Sequence, residues 1–571
     1  MCKNIVITGY GIISATEIKK IKHLDFQDFP YPVGEVDLSD SELKNILKIP
    51  NDKTISRTAL LGIFAVKQAA ESAGISQLSQ GRIELISGTT VGGMDLTEKY
   101  WQDIDNHADV MIQHDGGSCT DVISEFFGFF DNQTTISTAC SSGANAVLLG
   151  AELLKADKAD IVFAGGTEAL TKFHLSGFAS LMILDKEVCR PFADDRAGLN
   201  LGEGAAFLVM ETEEHAKERG AKILCRFSGG GNACDAFHQT ASSPNGEGAY
   251  LAMTEALKNA NLSPHDIQYV NAHGTGTVNN DESEKAALKR VFGENLPQIE
   301  STKNITGHTT SAAGAIEAVI CVKKILGNPA FKNVMDNSFG FGGNDTSLIF
   351  SALELECGHS CPPMGLSKKA YWNAGGSPAS TCRADEPSAF HLFRQSSPQI
   401  EVAAKVELTN EDEISEIKTF LKPAEYRRMG KLLKSSLLTS LKALKQSGIT
   451  TPDAIITATS LGCWENSEKI LDNLSEPKPT LFMQSTHNTI GSNIAIYLKC
   501  HGYNITYTQG SESLNRALRD AELLIESGKC KSVLVGLHEE TTEKYRALMQ
   551  KNGVTNLKSI YSLSLVLTKK L

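Results

Sequence analysis

A stretch of strand-and-turn sequence occurs twice in this chain. Ile86-Ser87-Gly88-Thr89-Thr90-Val91-Gly92, followed by Glu98-Lys99, returns as Ile456-Thr457-Ala458-Thr459-Ser460-Leu461-Gly462, followed by Glu468-Lys469, and Ala151-Glu152-Leu153-Leu154 returns as Ala521-Glu522-Leu523-Leu524. Both matches carry an offset of 370 residues, so one supersecondary plan is built twice in a single polypeptide. The helix stop Ala73-Gly74-Ile75 is answered by Ser447-Gly448-Ile449, and Lys3-Asn4-Ile5-Val6 has a weaker counterpart near Lys369-Ala370-Tyr371-Trp372. The closing strand Leu563 to Thr568 corresponds to Ala206 to Glu211. Nothing corresponding to residues 223–353 follows the second copy. The chain therefore divides into residues 1–353 (halves 1–222 and 223–353), a Gly- and Pro-bearing linker at 354–367, and a half-length second module at 368–571.

The first copy alternates apolar β-type runs (Asn4 to Thr8, Ile83 to Gly88, Asp160 to Ala164, Ala205 to Met210) with amphipathic segments of helix length (Ser56 to Ser72, Gly143 to Lys155, Gly248 to Ala260). That alternation predicts an α/β architecture. The N-terminus lacks a charged region followed by an apolar one, and no apolar run approaches about 18 residues, which predicts a cytoplasmic enzyme without a membrane span. The net charge of −12 is unevenly shared: residues 1–367 hold 29 Lys and Arg against 46 Asp and Glu, residues 368–571 hold 26 against 21. An acidic first part gives no reason to expect nucleic acid as a partner. The 13 cysteines have no framework spacing, and Cys357-x-His359-x-Cys361, with Cys382 nearby, fits none of the usual zinc ribbons.

Thr138-Ala139-Cys140-Ser141-Ser142-Gly143 sets one cysteine between a buried strand (Thr134 to Ser137) and an amphipathic helix. Backbone N–H groups and the positive end of the helix dipole meet there, which favours a thiolate nucleophile; a buried structural cysteine is the alternative. The unrepeated part carries Asn271-Ala272-His273-Gly274-Thr275-Gly276-Thr277, with Asp281 and Glu284 following, and Ser301-Thr302-Lys303-Asn304-Ile305-Thr306-Gly307-His308. Two histidines beside Gly and Thr, each directly after a β-type run, sit where catalytic loops lie in open α/β sheets. Asn337-Ser338-Phe339-Gly340-Phe341-Gly342-Gly343-Asn344 is a Gly-rich turn suited to offering N–H donors to an oxyanion; no Lys-Ser/Thr follows it as a phosphate cradle would require.

With TACSSG (138–143), AGGTE (164–168), NLGEGA (200–205), NAHGTGT (271–277), STKNITGH (301–308) and NSFGFGG (337–343) in that order, the chain resembles the β-ketoacyl-acyl carrier protein synthases, condensing enzymes of the thiolase superfamily. The resemblance spans residues 1 to about 353. It implies the layered αβαβα thiolase fold, dimerisation through the first half, and a Cys-His-His site of Cys140, His273 and His308. By the same resemblance, the N–H groups of Cys140 and Phe341 form an oxyanion hole with the Phe341 ring gating access, and Lys303, paired with Glu284, sets charge and histidine orientation. No bound cofactor is implied. Substrates arrive on the phosphopantetheine of an acyl carrier protein, and the partners are that carrier protein and a second synthase-like chain as homodimer or heterodimer. A thiolase would need a second cysteine near the glycine loop, where there is none, and Cys321 lies in an apolar helical run.

Applying the offset of 370 puts Gly510 opposite Cys140 with Gln509 and Ser511 beside it, so the second copy is expected not to condense anything. It resembles the half-length synthase-like proteins of aryl-polyene and flexirubin-type pigment pathways. Gln484-Ser485-Thr486-His487-Asn488 reads as structural or tunnel-facing, and Arg427, Arg428, Lys431 and Lys434 as either a carrier-protein contact or a solvated helix face. The chain is thus expected to be an elongating synthase of fatty acid or polyene-type synthesis; a non-catalytic scaffold or length-determining subunit is the alternative.

Overall fold

The computed structural model describes residues 3–26, 28–76, 81–353 and 399–570. Among them the strands are β1 (Ile5–Ser14), β2 (Ile83–Gly88), β3 (Asn132–Ile136), β4 (Ile161–Glu168), β5 (Gly204–Thr212), β6 (Cys225–Cys234), β7 (Tyr269–Asn271), β8 (Gln298–Glu300), β9 (Asn333–Gly340), β10 (Asn344–Ser351), β11 (Ile400–Leu408), β12 (Ala454–Ala458), β13 (Tyr503–Tyr507), β14 (Ser532–Glu540) and β15 (Ile560–Lys569). They hydrogen-bond in the order β11-β15-β14-β12-β13-β3-β2-β4-β5-β1-β6-β10-β9-β7-β8. The centre is a palindrome: β11-β15-β14-β12-β13 mirrors β3-β2-β4-β5-β1. Strands β2 and β4 are parallel and buried on both faces, and the crossover helices Gly116–Phe127 and Ser142–Lys155 return the chain between parallel neighbours.

The two copies meet edge to edge. Tyr507 pairs with Ile136, and the flanking bonds, Ser137 N–H to Thr506 O (2.9 Å) and Thr508 N–H to Thr135 O (3.1 Å), are images of each other under an offset of 371. The outer edge of β3, an open template in an isolated half, is therefore paired within the same chain. The resemblance implied that a second chain would dimerise through this half.

The repeat gains one residue between its halves, and this corrects the sequence alignment at Cys140. Gly92 N–H to Thr89 Oγ1 and Gly462 N–H to Thr459 Oγ1 keep the offset of 370. Further on, Thr138 N–H donates to Ser142 Oγ as Gln509 N–H donates to Ser513 Oγ, both at 2.8 Å, and Ala139 (φ 52°) matches Gly510 (φ 50°). Ser511, not Gly510, stands where Cys140 stands, and Arg516 stands where Asn145 stands. Strand β11 pairs with β15 through a register shift between Val402 and Ala404, as β1 does with β5 between Ile7 and Gly9. The counterpart of β1 is thus 400–408, and not the weaker match near Lys369 to Trp372. That match, the linker at 354–367 and the Cys357, His359, Cys361 and Cys382 group lie outside the described residues.

The core is organised by two helices that cross face to face, Ser142–Lys155 and Ala313–Gly327. They touch because each has glycine at the crossing: a Cβ on Gly143 would lie 2.9 Å from Ala315 N, and one on Gly314 2.8 Å from Ala144 Cβ. Their approach brings together the single 3₁₀ turns that precede them, Ala139–Ser141 and Thr310–Ala312. Ala139 and Thr310 both hold positive φ, 52° and 43°, at a cost of about 1 to 3 kcal/mol each for side-chain-bearing residues. In the second copy that position is glycine, which bears no such cost. There, among the described residues, the helix Ser513–Glu526 has no counterpart of Ala313–Gly327 over it and carries Arg516, Arg519 and Glu522 on a partly exposed face, where Ser142–Lys155 is almost wholly buried. Among the described residues no helix is long and apolar enough to cross a membrane.

Candidate active site

The 3₁₀ turn Ala139–Ser141 presents Cys140 at the head of the core helix, with 4% of its surface exposed. His308 follows the short helix Lys303–Thr306 on the opposite half, and its Nε2 lies 3.0 Å from Cys140 Sγ. His273 follows β7, its ring edge-on to that of His308 with centroids 5.2 Å apart. The thiol and one nitrogen from each ring lie within 4.8 Å of one another. The Phe341 N–H, in the β9–β10 turn, donates toward the thiol, and the Phe341 ring stacks on Phe178 at 5.7 Å. Cys140, His273, His308 and Phe341, chosen from four separate motifs, therefore converge.

Burial decides the protonation states. The Cys140 thiol is pushed up to about 12 by desolvation, against the opposing pull of the Lys303 charge and the Phe341 N–H. The thiolate expected from the helix position is thus outweighed by burial, and Cys140 rests as a thiol. Both histidines are held well below the ordinary imidazole range, first by burial, then by Lys303, so each is a neutral ring with one N–H to donate. Alkylation of Cys140 by iodoacetamide, read by peptide mass, is expected to climb about tenfold per pH unit between pH 7 and 9.5. A plateau by pH 8 would mean that the thiolate is stabilised after all.

Lys303 and Glu284 do not pair. Lys303 is fully buried and its Nζ lies 2.6 Å from Glu317 Oε1, itself 2% exposed. Glu284 instead accepts the His273 and Gly274 N–H groups at 2.9 and 2.8 Å, while Asp281 accepts those of Thr275 and Gly276 at 3.1 and 3.2 Å. Two carboxylates on the first turns of the helix Val278–Phe292 thus fix the loop that carries His273. Burial pushes Glu284 up to about 7 despite those donors. Glu317 escaped notice in the sequence, although one acid inside the apolar run from Ala313 to Val322 was its signal. Asn488, in the second copy, also escaped: its Nδ2 donates to Phe341 O at 2.8 Å. His487 bonds Ser137 Oγ through Nδ1 at 2.9 Å, three residues from Cys140, as part of the contact between copies. The spacing of Cys140, His273 and His308 is one that a divalent cation could span; the fixed positive charge of Lys303 opposes a second cation there and favours hydrogen-bonding imidazoles.

A buried thiol set against two imidazoles, where two βα halves meet in a thiolase-like fold, is an arrangement suited to a condensing ketosynthase. The chain belongs to the β-ketoacyl synthase family: the family's N-terminal domain matches residues 35–216 and again 363–556, and its C-terminal domain matches 224–328. It is 30% identical to 3-oxoacyl-[acyl-carrier-protein] synthase 2 of Coxiella burnetii, over 61% of this chain and 98% of that one. It is 34% identical to nodulation protein E of Rhizobium leguminosarum bv. trifolii, over 57% of this chain and 87% of that one. Among solved structures, the ishigamide ketosynthase/chain length factor matches 62% of this chain and 100% of its own at 27% identity and a TM-score of 0.58. A PfaC keto synthase-chain length factor structure matches 99% of this chain and 78% of its own at 15% identity and a TM-score of 0.75, which shows a shared fold over both copies.

Proposed function

We propose that the chain is an elongating β-ketoacyl-acyl carrier protein synthase that joins an acyl group to malonyl-carrier protein by decarboxylative Claisen condensation. The observation that carries this reading is the convergence of Cys140 Sγ, His308 Nε2 and His273 beside the Phe341 N–H. Cys140 attacks the acyl thioester carried on phosphopantetheine; the sulfur–carbon bond forms, the pantetheine sulfur leaves, and the thiol proton passes through His308 to it. The N–H groups of Cys140 and Phe341 hold the transient oxyanion. Malonyl thioester then loses CO2, and the enolate oxygen accepts the two imidazole N–H groups. The enolate carbon attacks the acyl carbon, the carbon–sulfur bond to Cys140 breaks, and the released Cys140 thiolate takes up from solvent the one proton that the overall reaction consumes. Neutral histidines suit this role because they donate without surrendering a proton. No resident cofactor takes part in these steps, and fatty acid or polyene-type synthesis supplies the substrates.

The second copy, with Ser511 in the place of Cys140, is proposed as a non-condensing partner held in the same chain. Its docking along β3 and the likeness to ketosynthase/chain length factor pairs support this. His273→Ala and His308→Ala are each expected to lower decarboxylation of malonyl-carrier protein by about 100-fold or more, measured as CO2 release. Decarboxylation that survived both substitutions would remove the enolate role.

A further inference from the structure

The turn that carries Phe341 is loosely built by its own sequence. Gly342 and Gly343 hold φ of 86° and 82°, and a Phe-Gly-Gly segment has little intrinsic preference for one peptide orientation. Three backbone bonds hold its far end: Gly342 N–H to Gln239 O (3.0 Å), Gly343 N–H to Gly340 O (3.0 Å) and Asp235 N–H to Gly343 O (2.7 Å). The Phe341 carbonyl is held from the other copy, by Asn488 Nδ2 at 2.8 Å. Gly340 is fixed in the β9–β10 ladder, so anchoring the Phe341 carbonyl sets the rotation of Phe341 between two clamped ends and thereby aims its N–H at Cys140.

Two further contacts from the second copy press on the same turn. A Cβ on Gly342 would lie 2.2 Å from Ser492 Oγ, so the second copy closes over the glycine. Phe482 packs edge-on to Phe178 at 5.4 Å, the ring on which Phe341 stacks. Asn488 is fully buried and its Oδ1 has no partner. Burying a half-satisfied carboxamide costs about 1 to 3 kcal/mol, whereas an apolar side chain would fill the interface at no such cost. The useful half of that carboxamide is the N–H on Phe341.

Resting on the reading of the site given above, we propose that Asn488 is a positioning residue for the oxyanion hole of the opposite copy: the catalytically silent half of the chain sets the Phe341 N–H that stabilises acyl transfer to Cys140. The role belongs to acyl transfer and not to the enolate, whose donors are His273 and His308, and this separates it from a structural one.

The test uses the full chain and two substitutions, Asn488→Ala and the nearly isosteric non-donor Asn488→Leu. Cys140 acylation by an acyl-carrier protein is timed by intact mass, malonyl-carrier protein decarboxylation by CO2 release, and folding by thermal unfolding. Because the donor is displaced and not deleted, both variants are expected to acylate about tenfold more slowly while decarboxylating within twofold of the parent. Acylation at the parent rate in either variant, loss of both activities in proportion, or failure of both variants to fold would overturn the proposal by reducing Asn488 to packing. A parent chain that is never acylated would instead overturn the condensing function itself.

Discussion

Cys140→Ala is expected to abolish the acyl-enzyme and lower condensation by at least about 10,000-fold, because the step it removes has no substitute. Among the described residues Cys140 is the thiol that clusters with the two histidines: Cys189 packs against Gly276, three residues beyond His273, and Cys321 lies in the core helix with its thiol toward Met335 O. The change deletes one buried sulfur beside Ala139 and is expected to alter stability by about 1 kcal/mol at most. The site should survive it: His273 and His308 are held by their own elements, so malonyl-carrier protein should still be decarboxylated. Intact mass after incubation with an acyl-carrier protein reads the first outcome, and CO2 release reads the second. An acyl adduct persisting on the Ala variant would place the nucleophile elsewhere.

Lys303→Met is expected to destabilise the chain by about 3 kcal/mol, because it leaves Glu317 buried without its cation. Burial already pushes the Glu317 carboxyl up, and Lys303 is what opposes that push. Without Lys303 the folded-state pKa rises further above its unfolded value. A group with a raised folded pKa stabilises fully below its unfolded value and loses that contribution as pH rises through the folded value. The deficit of Lys303→Met should therefore be smaller at pH 5 than at pH 8, as read by denaturant unfolding at both. Pairing it with Glu317→Leu removes the orphaned acid and should recover much of the loss. Condensation should not recover with stability, because the Lys303 charge also acts on Cys140 and both histidines. Equal stability of Lys303→Met at the two pH values would mean that Glu317 does not depend on this lysine.

Much of the site was legible because its residues lie in motifs whose local chemistry is complete. A strand running into a small-residue turn before a helix places Cys140, and Gly-Thr loops after short strands place His273 and His308. The failures have a common cause. Lys303 was paired with Glu284, an acid on a nearby helix in sequence, whereas it reaches Glu317, which looks from the sequence like a flaw in an apolar face. The helix dipole at Cys140 is a local effect, and it was outweighed by desolvation, which depends on everything packed around the thiol. A single inserted residue between β12 and β13 moved the alignment of the second copy, and the match of residues 151–154 to 521–524 hid it: that match lies beyond the insertion and is one residue out of the register set by the paired helices Ser142–Lys155 and Ser513–Glu526.

The sequence by itself determined that one βα plan is built twice, that the second copy has no cysteine in the place of Cys140, and which motifs of the first bring Cys140, His273 and His308 together, because spacing and residue type report local geometry. Only the tertiary structure decided that the second copy completes the sheet along β3, that Glu317 neutralises Lys303, and that Asn488 holds the Phe341 turn. Those contacts join residues 14, 147 and 371 positions apart, and no local rule relates such positions: they meet because two crossed helices and one shared strand edge leave a single way to pack.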